Sequence, residues 1–434
     1  MRKYSVKNKF CLCCVLFTLH AVFLFSEKIV LENGLTVIYE KDISSRISVF
    51  QIVIKGGKWA EPEGKAGLAY LTTRLTIEIP DQNKLQALMD QATHLYMSCT
   101  EDYSLITIAS LSVNLEDTLK ITSQILSKPL FSNIRIDRIK KQMTRSREIE
   151  SDEPAIAAHY TFTDIFMAGT PFAGQIYGSE NSLRSIKKKD IISFYENHFL
   201  TGNMIFSIST DLEKQTILDL IQKFFGGFHA GKLPGPKLLS FPPILEEKKQ
   251  YINKDSTQAH ISAGYLLPQL SPRNYLLAYL TANLLGQGVG SRLWPLRSEK
   301  KLAYNVHSRA TYFNAGGILE TFIETENTKL DIALDSFTHV LNELYSGGVT
   351  EEELSMTKNY SKALFLRNNE TKESRALTRG NNEAIGLGYN YLEKFIGEIN
   401  TVSAEEINTF VRKVLAPEKR VQVIIGPSKE LPLN

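Results

Sequence analysis

Apolar residues follow two spacings along the chain, one typical of β-strands and the other of helices. Short apolar runs at Ile29–Leu31, Leu35–Tyr39 and Ile47–Ile54 predict three strands. The Asn33-Gly34 step between the first two runs is a strong short-range signal for a hairpin. A helix is predicted next, over Gly64–Ile79, because the stretch opens at a Gly-bounded turn and stops before a proline.

The same order of elements occurs twice. The rest of the first half predicts a helix at Asn83–Ala92, strands at Leu95–Ser98 and Leu105–Val113, helices at Leu115–Leu126, Ile134–Glu150, Pro154–Phe166 and Lys189–Phe199, a strand at Met204–Ile208 and a helix at Leu212–Phe225. The second half predicts strands at Gln250–Asn253, His260–Tyr265, Tyr304–Ala310 and Gly317–Ile323, and helices at Tyr275–Leu285, Ser291–Lys300, Leu330–Tyr345 and Glu351–Asn368.

A short internal repeat supports two equivalent halves. Asp190–Phe194 leads into the strand Met204–Ile208, and Glu406–Phe410 leads into Val421–Ile425. In both, an acid precedes an apolar helix and a short β run follows. The sequence therefore predicts an α+β fold of two homologous domains, each a mixed β-sheet with helices packed on one face.

The stretch His229–Pro243 is the clearest linker, because it combines four prolines with two glycines. We therefore predict an N-terminal domain over residues 27–229, a Pro/Gly-rich linker over 230–245 and a C-terminal domain over 246–434.

The N terminus has the pattern of a secretory signal peptide, predicted over residues 1–26. A basic start is followed by the apolar run Phe10–Phe25, which is short for a membrane span. This predicts export, with a periplasm as the expected compartment. An uncleaved segment that tethers the protein to a membrane is the alternative. After cleavage Cys99 is the only cysteine left, so no intrachain disulfide can form.

Composition narrows the class of partner. The 434 residues are 43% hydrophobic and 22% charged, with a formal net charge of +3, and the basic start accounts for this excess. A body so near neutrality gives no electrostatic reason to expect nucleic acid as a partner.

The Gly-bounded helix carries the candidate chemistry. Tyr70 and Arg74 are four residues apart and share one helical face, with Thr73 beside them. The stretch Gly64–Leu75 resembles the signature of the insulinase/pitrilysin family, the inverted-zincin peptidases, in which Gly-Leu-Ala precedes His-x-x-Glu-His. In that family the two His bind zinc and the Glu activates water. Here Tyr70, Thr73 and Arg74 occupy the places of His, Glu and His.

These substitutions remove the zinc chemistry that the family signature implies. Zinc prefers imidazole, thiolate or carboxylate ligands, Arg74 carries a permanent positive charge, and Thr73 cannot act as a general base near neutral pH. The histidines are scattered, at His20, His94, His159, His198, His229, His260, His307 and His339. We therefore expect this chain to bind no metal and no other cofactor.

Three further stretches extend the resemblance. Glu32–Leu35 resembles the opening hairpin of the family, and Thr100–Tyr103 resembles the polar stretch of the strand that pairs with substrate. Arg147-Glu148-Ile149 resembles the segment that donates a glutamate as third zinc ligand. For Glu148 we favour a carboxylate on a helix surface, because one Glu does not make a zinc site.

The stretch Ser291–Tyr304 closely resembles a family segment that starts Ser-Arg-Leu and ends Leu-Ala-Tyr. In related peptidases its Arg and Tyr contact the substrate backbone beside the scissile bond, and the matching residues here are Arg297 and Tyr304. Continued helix would place these two on one face. The alternative is that Arg297 is a solvated helix charge and Tyr304 an aromatic residue at the start of a strand.

The resemblance implies a two-chain enzyme in which this is the zinc-less chain. Its expected partners are a homologous zinc-bearing chain that carries His-x-x-Glu-His and an unfolded peptide held as an added strand. A structural scaffold with a peptidase-like fold and no role in proteolysis is the alternative. An enzyme of another class is disfavoured, because the sequence has no Gly-x-Ser-x-Gly elbow, phosphate-binding loop or paired-Cys metal site.

Overall fold

A computed structural model of the protein describes residues 26–233 and 240–427. Its strands form two separate sheets, one in each half of the chain. The first sheet consists of β1 (Ser26–Val30), β2 (Thr36–Lys41), β3 (Ile47–Lys55), β4 (His94–Cys99), β5 (Tyr103–Leu111) and β6 (Met204–Thr210). The second consists of β7 (Lys248–Asn253), β8 (Gln258–Leu267), β9 (Asn305–Phe313), β10 (Gly316–Glu326) and β11 (Val421–Gly426). The predicted signal peptide, apart from Ser26, lies outside the described residues.

Helices occupy most of the connections between strands. Those of the first half are α1 (Leu68–Thr76), α2 (Gln82–Asp90), α3 (Leu115–Ser127), α4 (Asn133–Asp152), α5 (Pro154–Met167), α6 (Glu180–Ser185), α7 (Lys188–His198) and α8 (Lys214–Phe225). Those of the second half are α9 (Pro272–Gly286), α10 (Trp294–Ser298), α11 (Leu330–Gly347), α12 (Glu351–Asn368), α13 (Lys372–Ala384), α14 (Tyr391–Asn400) and α15 (Ala404–Val414).

The two sheets have the same topology. Their strand orders are β1-β2-β6-β3-β5-β4 and β7-β11-β8-β10-β9. In each sheet one pair is parallel, β2 with β6 and β7 with β11, and the other neighbours are antiparallel. The first sheet has β1 in addition, as the hairpin partner of β2. The predicted α+β fold of two homologous domains is confirmed.

Each sheet is covered on both faces, and one of the covering helices comes from the other half. Helix α13 of the second half packs on β3 and β6, and helix α5 of the first half packs on β8 and β11. A Cβ atom at Gly264 of β8 would overlap the ring of Phe162 on α5, so glycine allows this close approach. Each sheet therefore has the predicted helices on one face and, in addition, a helix from the other half on the opposite face.

Charged residues fix the crossing helices in place. Arg375 and Arg379 of α13 bond Glu40 of β2, each at 2.9 Å, and Arg375 also pairs with Asp42. Glu40 is fully buried and Arg379 is 1% exposed. Because removing one partner would leave the other charge buried and unpaired, these contacts set how the halves meet.

Helix α5 makes the corresponding contact with the second sheet, and this contact is also polar. Glu320 of β10 lies 2.9 Å from His159 Nδ1 and 2.6 Å from Arg309 Nη2. The two crossing helices are therefore joined to the opposite half by a buried carboxylate in each case.

The predicted linker, residues 230–245, lies between α8 and β7, and residues 234–239 are outside the described part of the chain. Beyond the gap the chain is packed, because Phe241 and Ile244 are buried. The Phe241 ring lies 5.6 Å from that of Phe172 and 5.8 Å from that of Phe313. Across residues 26–233 and 240–427, no helix combines the length and the apolar composition needed to span a membrane.

Candidate functional site

Helix α1 begins at a turn that only glycine adopts easily. Gly67 precedes the helix with φ of 94°, in the left-handed region. Glu61 supplies the missing cap by accepting hydrogen bonds from the backbone N–H groups of Gly67 (3.1 Å) and Ala69 (2.8 Å). Burial raises the pKa of Glu61 to about 7. The helix is consequently shorter than the predicted Gly64–Ile79.

Thr73 points into the protein. The residue is fully buried, and its Oγ1 donates a hydrogen bond to Ser104 Oγ on β5 at 2.9 Å. A side chain in this position joins the helix to the sheet and does not meet a substrate.

Tyr70 is half-buried and packs against another tyrosine. Its ring lies 4.8 Å from that of Tyr177 at an interplanar angle of 78°. Burial raises the pKa of Tyr70, and it raises the pKa of Tyr177 to about 12. Both phenols are therefore protonated at neutral pH.

The carboxylate of Glu150, on α4, lies near Tyr70. It accepts a hydrogen bond from the hydroxyl of Tyr160 at 2.8 Å, and its charge helps to raise the pKa of Tyr70. Glu148 instead is exposed and lines a cavity of about 710 Å³ beside α4, in agreement with the surface-carboxylate interpretation. Sequence reasoning missed Glu150, although it is seven residues beyond buried Met143 and thus about two turns along the same face.

This set of side chains does not suit zinc. Zinc would need imidazoles and a carboxylate at positions 70, 73 and 74, but these positions hold two hydroxyl groups and a guanidinium. Of Tyr70, Thr73, Arg74 and Glu150, only Glu150 is a good zinc ligand. Among the described residues no group of three His, Cys, Asp or Glu side chains could hold a metal ion. The expectation that this chain binds no cofactor remains a prediction.

Arg74 belongs to a cluster of arginines, which we name the arginine cluster, formed with Arg135 and Arg138 around Glu78. The carboxylate of Glu78 lies 3.5 Å from Arg74, 3.9 Å from Arg135 and 2.6 Å from Arg138. Its side chain is 8% exposed. All four residues line a groove of about 510 Å³ that runs beside β4, which forms one edge of the first sheet.

In the second half, the segment that carries Arg297 and Tyr304 has a different shape from the one predicted. Helix α10 covers only Trp294–Ser298, so the predicted helix Ser291–Lys300 is too long and no continued helix joins the two residues. Lys301 adopts φ of 53°, and the chain bends back. The N–H groups of Leu302 and Ala303 then donate to the Leu296 carbonyl, at 2.8 and 3.2 Å. The bend, and not a shared helical face, brings Tyr304 back beside α10.

Both side chains reach solvent. Arg297 is exposed and its guanidinium lies 5.0 Å from the centre of the Trp294 ring. Tyr304 is 49% exposed, and its hydroxyl donates to Glu326 Oε1 at 2.7 Å. This hydrogen bond to a carboxylate raises the pKa of Tyr304.

The two candidate regions lie far apart within the chain. At the far end of β9 from Tyr304, Asn314 donates to Asp102 from its backbone N–H (3.1 Å) and its side chain (2.8 Å). Asp102 is two residues from Ser104, the partner of Thr73. Nine residues of strand span about 30 Å. Within one chain, therefore, Arg297 and Tyr304 do not come close to helix α1, which carries Tyr70, Thr73 and Arg74.

Comparison with known proteins places both halves in one family. The family model of the insulinases, peptidase family M16, matches residues 36–179. The family model of the peptidase M16 inactive domain matches residues 185–360.

Similar proteins align over most of the chain. The non-peptidase homolog YmxG of Helicobacter pylori is 23% identical over 385 residues, which are 87% of this chain and 88% of that protein. The crystal structure of a peptidase M16 inactive domain from Pseudomonas fluorescens superposes with a TM-score of 0.85 at 20% identity, covering 95% of this chain and 100% of that one. The periplasmic protease PqqL from Escherichia coli gives a TM-score of 0.75 at 14% identity, over 93% of this chain and 45% of that one.

Proposed function

The chain belongs to the insulinase family of peptidases, family M16, and we propose that within it the protein is the non-catalytic, substrate-positioning subunit of a heteromeric zinc metallopeptidase acting on unfolded peptides. One contrast carries the proposal. Helix α1 has side chains that do not suit zinc, whereas the segment Ser291–Tyr304 keeps the Arg and Tyr that the family uses to contact substrate.

The environment of Arg297 and Tyr304 supports such a role. An exposed guanidinium can donate paired hydrogen bonds to peptide carbonyl oxygens, and a tyrosine hydroxyl can stabilise a developing oxyanion. Both side chains lie about a strand length from α1 of the same chain. Their donors are therefore available to a reaction centre on another chain.

The partner that completes the site is proposed to be a homologous chain with His-x-x-Glu-His, and the zinc is proposed to reside there. The contribution of this chain is to orient the peptide and to exclude water from one side of it. We propose an exported, periplasmic location. The basic and apolar N terminus supports it, as does the similarity to a periplasmic protease.

A scaffold role without proteolysis is the second candidate. It is favoured by the similarity to a protein described as a non-peptidase homolog. The hydrogen bond from Tyr304 to Glu326 also favours it, because that bond engages the hydroxyl within the chain.

The experiment is cleavage of a quenched unstructured peptide by this chain alone, by its closest His-x-x-Glu-His homologue from the same organism, and by the mixture. We expect activity in the mixture only, and its loss on addition of a chelator. Arg297→Ala should lower kcat/KM of the mixture by about 10- to 100-fold, because hydrogen bonds from a charged donor are worth about 1.5–3 kcal/mol. Arg412→Ala, at another exposed arginine, is the matched control.

Two results would contradict the proposal. One is that the zinc chain cleaves the peptide equally well with and without this chain. The other is that Arg297→Ala and Arg412→Ala leave the same activity. Inactive mixtures in which the two chains do not associate on sizing would support the scaffold role.

A further inference from the structure

The groove beside β4 combines apolar walls with a charged rim. Its aliphatic and methionine side chains come from α2, from β4 and from the turn after α1. Its apolar lining includes Ile77, Leu85, Leu88, Met89, Leu95 and Met97. Met89 is 64% exposed and Tyr96, on the same rim, is 44% exposed. The groove is thus open to solvent and has room for side chains of a ligand.

Charge in this groove is unbalanced. Three guanidinium groups, those of the arginine cluster, line it together with one carboxylate, that of Glu78. Arg135 and Arg138 lie near the N terminus of the 20-residue helix α4, whose first turn holds no acidic residue. Because the helix dipole places a partial positive charge at that end, two arginines there add to the excess.

Glu78 does not satisfy all three arginines. Both of its oxygens lie 2.6 Å from Arg138 Nη2, whereas its nearest approach to Arg135 Nη1 is 3.9 Å. Arg135 Nη1 has no hydrogen-bond acceptor among the residues that the structure describes. The Arg135 side chain is still 22% exposed and lines the groove, so a second carboxylate there can pair with its guanidinium.

We infer that the groove beside β4 binds an extended peptide whose acidic side chains pair with Arg74, Arg135 and Arg138. The inference rests on the proposed function, because it names the class of peptide that this chain would hold: apolar residues in alternation with Asp or Glu. Charge complementarity identifies the occupant, since a guanidinium pairs with a carboxylate through strong, charge-assisted hydrogen bonds.

The neighbouring strand suits the same occupant. β4 pairs only with β5, so its other edge is unpaired among the described strands. Along an extended peptide, successive side chains point to opposite sides, so acidic residues on one side leave apolar residues for the other. The alternative occupant of such an edge is a second copy of this chain.

The test is direct binding to the purified chain without its partner. Two labelled peptides of about ten residues, the length of a long strand, are compared by fluorescence anisotropy. Both are amidated, and they differ only in carrying Glu or Gln at alternate positions between apolar residues. The Glu peptide is expected to bind about tenfold more tightly, and high salt should remove the difference.

Variants distinguish an effect of the arginine cluster from an effect of the overall charge of the protein. Arg74→Gln and Arg138→Gln should each weaken the Glu peptide about three- to tenfold and leave the Gln peptide unchanged. Arg145→Gln removes the same charge from an exposed position of α4 outside the groove and should have no effect. Glu78→Gln should strengthen binding, because it removes the competing carboxylate. A structural defect would weaken both peptides and could not produce this opposite sign.

The inference is wrong if the Glu and Gln peptides bind equally, or if Arg145→Gln weakens binding as much as Arg74→Gln. It is also wrong if Arg138→Gln instead abolishes a concentration-dependent dimer of this chain, because the groove then holds a second copy. This assay omits the zinc chain, so it tests the groove separately from the proposed function. The chain can lack acid selectivity while the mixture still cleaves peptide. It can also bind the Glu peptide selectively while the mixture is inactive.

Discussion

Helix α1 in the first half and the α10–β9 segment in the second half are both family landmarks, yet their polar side chains have different surroundings. Thr73 is fully buried against Ser104, and Tyr70 packs on Tyr177. Arg297 is exposed, and Tyr304 is half exposed. Thr73 and Tyr70 have become part of the packing of their own half, whereas the second region presents donors to solvent. A change at Thr73 or Tyr70 should therefore alter stability, and a change at Arg297 or Tyr304 should alter function.

The largest expected effect is on stability in the first region. Thr73→Glu would restore the family residue but bury a carboxylate beside the sheet, and should lower the free energy of unfolding by about 3–5 kcal/mol. Urea unfolding measures this. Thr73→Val, which loses only the hydrogen bond to Ser104, is the control and should cost about 1 kcal/mol. Similar stability of all three proteins would show that position 73 is not committed to packing.

The second prediction concerns function in the other region. In the assembled peptidase, Tyr304→Phe should raise the activation barrier by about 2.7 kcal/mol, the lower end for a lost oxyanion donor. Its kcat should fall with little change in KM, because the hydroxyl would act on the transition state. An unchanged kcat would remove Tyr304 from the site.

The third prediction concerns Asp102, which links the two regions through Asn314. Burial raises its pKa from 3.8 to about 7. Between these values the folded state keeps a proton that the unfolded chain has released, so stability falls as pH rises from about 4 to 7.

Asp102→Asn should therefore flatten this fall, by at most about 1.4 kcal/mol per pH unit. Unfolding in urea at several pH values between 4.5 and 7.5 measures the slope. Glu61, whose pKa is also raised to about 7, should maintain part of the slope in the variant. An identical slope in both proteins would show that Asp102 does not titrate in this window.

The smallest expected effect is on stability in the second region. Arg297→Ala should change the free energy of unfolding by less than about 0.5 kcal/mol, since the side chain is exposed. Thermal unfolding of the purified variant checks this. A large loss of stability would mean that its packing on Trp294 matters more than its exposure suggests.

The repeated order of strands could be predicted because each element has its own local pattern of apolar residues. Helix α13 could not, because its buried face consists largely of polar or charged residues, among them Arg375 and Arg379. Their partners Glu40 and Asp42 are more than three hundred residues away in sequence. No local pattern reports a helix that is stabilised by ion pairs with the other half.

The candidate site shows the same limit. The spacing of Arg297 and Tyr304 suggested a helical face, but Lys301 takes a left-handed conformation that is rare outside glycine, so the chain bends instead. For the α4 carboxylate, resemblance drew attention to Glu148, whereas helical periodicity from buried Met143 indicates Glu150.

The exchange of α5 and α13 between the halves has a consequence for how the chain can be divided. Each sheet needs a helix encoded in the opposite half to cover one of its faces. A polypeptide that ended at the linker would leave strands β3 and β6 bare on that face, with the carboxylate of Glu40 unneutralised. Two fragments separated at residues 234–239 are therefore expected to be insoluble alone and to reassemble when produced together, as a split protein does. Gene fusions or insertions that treat the halves as independent modules should fail for the same reason.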